Sequence, residues 1–212
     1  MNIFDKERLI SAPVASIPFG LYQLEKEDLD ILKGYCAELY ENPLKREVNK
    51  FTTSCYEHQY QSNAAIHNLL KTYLIPCVKE LTNPPPKGWE WHIVNSWVEY
   101  RQKNEFRPAS EVVGDFAFCC FVSIPYDIDK EKSHACNKNS INKALAKTSL
   151  TYVSPIGKIM SKDFSFGKND EGVIMIYPSE VLIQSYPFFT ADENTVVICG
   201  SLNCTEIPVS DI

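Results

Sequence analysis

The stretch Trp97–Ile128, WVEYRQKNEFRPASEVVGDFAFCCFVSIPYDI, decides the fold. It opens at the end of an alternating run that begins at Trp89 (WEWHIVNSWVEYRQ), the period-two signature of a strand with two different faces. A polar loop containing Asn104, Pro108 and Gly114 follows, and then Phe116–Tyr126, FAFCCFVSIPY, is apolar almost without interruption, which suits a strand buried on both faces. Working toward the C-terminus, SLTYVSP (149–155), GVIMIYPS (172–179) and TVVICGSLN (195–203) repeat the β texture with turn residues between them.

Working toward the N-terminus, TNPPPKG (82–88) is a rigid connector. Before it, Leu29, Leu32, Tyr35, Cys36 and Leu39 recur at helical spacing, and so do Ala65, Ile66, Leu69, Leu70, Tyr73, Leu74, Cys77 and Val78. The first helix is expected to end at Asn42-Pro43, and Pro76 to lie in the last turns of the second or to kink it. VASIPFGLYQL (14–24), with Pro18 inside it and Pro13 just before, predicts a strand ahead of both helices. Helices first and many short strands after predict an α+β jelly roll with the helices packed on one sheet. The expectation is a single domain, 1–212, with a mainly helical part at 1–83, a jelly-roll core at 89–206 and a polar surface insertion at about 129–147.

Composition narrows the function classes. With 21 Lys and Arg against 27 Asp and Glu the net charge is −6, which argues against the basic face a nucleic-acid binder needs to displace counterions. No apolar run approaches the roughly 20 residues that span a bilayer. MNIFDKERLI lacks the apolar stretch of a secretion signal. The 8 cysteines (Cys36, Cys55, Cys77, Cys119, Cys120, Cys136, Cys199, Cys204) lie scattered through apolar segments with no C-x-x-C pair, so they are expected to be reduced, buried thiols rather than a disulfide frame or a zinc site. Cys119 and Cys120 are adjacent, and alternation sends them to opposite faces of one strand.

Three segments, in order, resemble a phage-associated branch of the 2-oxoglutarate/Fe(II) oxygenases, a double-stranded β-helix family. KFTTSCYEHQYQ (50–61) with the helix ending YLIPCVKEL (73–81) is similar to that group's N-terminal cap. The Trp97–Ile128 stretch is similar to its tryptophan strand, metal loop and Ile-Pro-Tyr strand. IYPSEVLIQSYPFFTADENTVVICGSLN (176–203) is similar to its closing segment. Asn104, Pro108, Gly114, Ile124, Pro125, Tyr126, Pro178, Ser179, Pro187, Phe188, Gly200 and Asn203 fall in the order the family shows.

The resemblance implies histidines at the positions of Ser110 and Ile183, one near Val112, and an arginine for the co-substrate carboxylate at or beside Thr195. Fe(II) in such a site takes two imidazoles and a carboxylate, whereas serine, valine and isoleucine stand here. Glu111 could slide into register as a carboxylate, but without an imidazole partner it makes no site. His58, His67, His92 and His134 all lie outside the C-terminal strands, and beyond Lys168 there is no lysine or arginine. The resemblance therefore implies a barrel without metal or cofactor, its mouth filled by Val112, Val113 and Ile183. Such a chain is expected to be a structural or interaction protein, namely a phage virion component of the tail, neck, baseplate or capsid surface, assembled in the host cytoplasm with protein partners or with itself. The alternative is an oxygenase with an unorthodox site, using His92 or His134 beside Glu111 or Asp115. The turn Tyr186, Pro187, Phe188, Phe189 is a candidate contact surface or a plug for the end of the barrel. Ser179 lacks the glycine-flanked elbow of a nucleophile and is expected to be a turn serine.

Overall fold

The computed structural model describes residues 17–41, 63–138, 145–154 and 156–206, together with the backbone of 10–11, 46–47 and 55–57. Two antiparallel sheets face each other, and two helices cover the outside of the larger one. The small sheet has the order β6 (Arg107–Ser110), β11 (Leu182–Ser185), β8 (Thr148–Val153), β9 (Ile159–Phe164). The centre of the large sheet runs β10 (Val173–Pro178), β7 (Phe116–Ser123), β12 (Thr195–Glu206), β5 (Trp89–Arg101). The eight strands β5 to β12 therefore pass back and forth between the two sheets, with the hairpin β8–β9 staying in the small one, in a double-stranded β-helix, the jelly roll expected from the strand spacing.

The large sheet has 8 strands, because the N-terminal part adds β1 (Ile10–Ser11) and β2 (Gly20–Gln23) beside β10, and β3 (Arg46–Glu47) and β4 (Cys55–Glu57) beside β5. The N-terminal part thus adds short edge strands as well as its two helices. Asn42, Pro43, His58 and most of the 50–61 segment lie outside the described residues.

Alternation along the strands separates two cores. α1 (Lys26–Glu41) and α2 (Ala64–Leu81) bury Leu29, Leu32, Cys36, Leu39, Ile66, Leu70, Leu74, Cys77 and Val78 against Val98, Tyr100, Phe118, Cys120 and Ile198 on the outer face of the large sheet. Pro76 sits within the last turns of α2, and the Asn63 side chain caps its start by accepting the Ile66 N–H at 3.2 Å. The inner face carries Ala117, Cys119, Phe121, Met175, Tyr177, Val197 and Cys199, which meet Leu150, Tyr152 and Ile183 of the small sheet. Cys119 and Cys120 part to the two cores as alternation requires. Among the described residues no helix is long and apolar enough to cross a membrane.

The polar insertion is anchored rather than purely superficial. α3 (Ile128–Ser133) carries Glu131, which is fully buried and accepts hydrogen bonds from the Phe189 N–H, the Thr190 N–H and the Thr190 hydroxyl. α4 (Ala135–Lys138) follows. The described cysteines are all free thiols; Cys136 is exposed and Cys204 half-buried, against the expectation that all are core residues.

Candidate ligand site in the barrel

β6 and β11 pair with Ile183 directly opposite Ser110, so the two positions that resemblance assigns to iron ligands do meet across the small sheet. Ile183 is 1% exposed in the inter-sheet core, and half-buried Val112 packs against that core. Val113 is 90% exposed, against the expectation that it helps to fill the barrel mouth. A hydroxyl and two aliphatic side chains supply no imidazole and no carboxylate, so this donor set does not fit Fe(II).

Nor do the neighbouring acids and histidines repair the set. Glu111 and Asp115 are exposed, and the Asp115 carboxylate accepts the Cys204 N–H at 2.8 Å. His92 lies half-buried on β5 opposite Asn203, and His134 stacks on Phe189 at 5.1 Å between ring centroids. Among the described residues no group of three or more His, Cys, Asp or Glu is placed to hold a metal. Ser179 is buried and donates to the Gly114 carbonyl, a turn role.

The barrel interior is nevertheless ionic. Along β5, Trp97, Glu99 and Arg101 share the inward face, while Val98 and Tyr100 face the helices. Glu99 is fully buried and accepts from Arg101 Nη2 at 2.6 Å and Nε at 2.9 Å, from Arg107 Nε at 3.1 Å and from Trp97 Nε1 at 3.1 Å. Arg101 also donates through Nη1 to the Ser185 hydroxyl at 2.8 Å, and Arg107 to the Ile183 carbonyl at 3.3 Å. Burial by itself would raise the Glu99 pKa, but the two guanidinium charges and the hydrogen bonds outweigh it and hold the carboxyl at about 2. For both arginines burial disfavours the charged form and Glu99 overcomes it, so both stay above their ordinary value.

No lysine or arginine follows Lys168, so β12 carries no cation of its own, yet this network sets one beside Thr195. Thr195 is 4% exposed and pairs in register with Arg101, so the cation arrives from the neighbouring strand rather than from β12 itself. The signal was present in the alternation of Trp97, Glu99 and Arg101, which places two charges on an inward strand face. Its interpretation requires knowing which face is inward.

Little room remains. A cavity of about 20 Å³ lies among Arg101, Thr148, Ser185, Thr195, Phe121 and Phe166, whereas pockets for organic ligands start at roughly 300 Å³. Its end is closed by the 186–189 turn: Phe188 is 4% exposed and stacks on Tyr126 at 4.9 Å, and Tyr186 packs edge-on against Phe106. Tyr186, Pro187 and Phe189 remain partly accessible. A larger cavity, about 380 Å³, opens on the other side of the large sheet between α1 and residues Tyr100, Val122 and Val196, away from the resemblance-assigned positions.

No family model and no curated protein matches this sequence. Solved structures do match in fold. A Pseudomonas putida prolyl-4-hydroxylase superposes with a TM-score of 0.58 at 8% identity over 89% of this chain and 94% of its own. A viral collagen prolyl hydroxylase from Paramecium Bursaria Chlorella virus-1, solved with 2OG, gives 0.52 at 7% identity over 87% and 94%. An oxidoreductase of the 2OG-Fe(II) oxygenase family from Burkholderia pseudomallei gives 0.54 at 11% identity over 85% and 84%. The protein has the double-stranded β-helix fold that these oxygenases share.

Proposed function

We propose that this chain is a 2-oxoglutarate/Fe(II) oxygenase-type barrel that has given up iron chemistry and serves as a structural or interaction protein. One observation carries the proposal: the positions that meet across the small sheet, Ser110 and Ile183, cannot ligate iron, and a buried Glu99–Arg101–Arg107 network occupies the interior beside them. A carboxylate co-substrate would have to compete with Glu99, whose oxygens already take both guanidinium groups. Buried side chains that pair with one another across the interior stabilise a frame, and the cavity left between them is too small for an organic substrate. The resemblance to a phage-associated group narrows the proposal to a virion component, with protein partners or further copies of the chain.

Anaerobic titration with Fe(II) and 2-oxoglutarate tests this. No metal-to-ligand charge-transfer band and no heat of co-substrate binding are expected; a band with micromolar binding would restore the reading of an oxygenase with an unorthodox site. Detection of the chain in purified particles of the phage that encodes it tests the virion role separately.

A further inference from the structure

Inside the barrel, the Glu99–Arg101–Arg107 cluster does not balance its own charge. Glu99 provides one negative charge against two positive ones on Arg101 and Arg107, all three buried. Glu131, the other buried carboxylate, is taken by the amides of Phe189 and Thr190 and by the Thr190 hydroxyl. A net charge left in a dry interior is costly unless a counter-charge meets it. Arg101 uses three of its five N–H groups, two on Glu99 and one on Ser185, and so has two to spare.

The Thr195 hydroxyl, opposite Arg101, is buried with no hydrogen-bond partner. It lines the cavity of about 20 Å³ together with Arg101, Thr148 and Ser185. The Thr148 and Ser185 hydroxyls lie 3.3 Å apart. That volume holds one water-sized particle. A water would satisfy the hydroxyl and leave the charge.

We propose that this cavity is a binding site for a small inorganic anion of halide size, held by the Arg101 guanidinium and the hydroxyls of Thr195, Thr148 and Ser185. The site stands on geometry and charge alone, whether or not the barrel is catalytic. Its rim carries Lys147, paired to Asp163 at 2.6 Å, and half-buried Glu105, which accepts the Gln102 N–H at 2.7 Å. Glu105 opposes the anion, so neutralising it strengthens the site. The competing source of negative charge is the Cys119 thiol, within electrostatic reach of both arginines and 3.6 Å from Cys199.

The test is thermal unfolding of the purified protein in sodium bromide or chloride against sodium gluconate at constant ionic strength. A saturable rise in midpoint with halide is expected. Thr195→Val, nearly isosteric, should weaken the apparent halide affinity about tenfold, the loss of one hydrogen bond to a charged group, and Glu105→Gln should strengthen it. Equal midpoints in halide and gluconate, or a halide response unchanged in Thr195→Val, would overturn the proposal. So would a halide-independent protein whose thiolate absorbance at neutral pH disappears in Cys119→Ser, which assigns the counter-charge to the thiol.

Discussion

Glu99 is the residue on which the barrel interior depends. Removing its charge leaves Arg101 and Arg107 buried without the carboxylate they share, so Glu99→Gln should lose roughly 3–5 kcal/mol at neutral pH, read from urea unfolding. The pH dependence has a definite sign. The folded carboxyl titrates at about 2 against an ordinary 4.5, so its contribution is complete above that ordinary value and is lost as pH falls through the folded one. Wild type should therefore lose stability between about pH 4.5 and 2, and Glu99→Gln should lack that part of the slope. An unchanged slope in the variant would show that other carboxyls govern acid unfolding.

At the scale of elements, β12 holds the large sheet together as the antiparallel neighbour of both β5 and β7. β12 pairs with β5 along its whole length, with a register shift between Ser201 and Leu202. Just before it, Gly200 brings the strand so close to its neighbours that a Cβ there would stand 2.3 Å from the Asn95 carbonyl and 2.6 Å from the Phe118 ring. Gly200→Ala should cost on the order of 3 kcal/mol or more by overpacking, and loss of less than about 1 kcal/mol on urea unfolding would mean that the sheet slides freely at this point. Gly114 is constrained differently, with φ at +154° and the Ser201 Cβ 2.9 Å from where its own would be. Both glycines are among the positions that carry the resemblance in sequence. The contacts that require them join residues roughly 80 to 100 positions apart, and no local pattern reveals those.

Over the whole molecule, the two cores share the large sheet as a common wall, so neither can be completed without the other. Removing residues 1–83 would strip both helices from Val98, Tyr100, Phe118, Cys120 and Ile198 and also take β2 and β4 from the sheet edges. The fragment 84–212 is expected to be insoluble or molten, judged by loss of near-ultraviolet circular dichroism and dispersed amide resonances. A soluble, cooperatively unfolding fragment would instead make the helical part a separate domain, with the proline connector as a true boundary.

By itself the sequence determined the class of this protein, because period-two and helical periodicities follow from how side chains project from a strand and a helix. It also determined that the resemblance-assigned metal positions hold Ser110, Val112 and Ile183, since residue identity settles what can ligate iron. Only the tertiary structure decided what fills the barrel interior. A charged pair such as Glu99 and Arg101 reads the same in sequence on either face of a strand, and the side on which the second sheet closes makes it a buried network with Arg107 and Thr195.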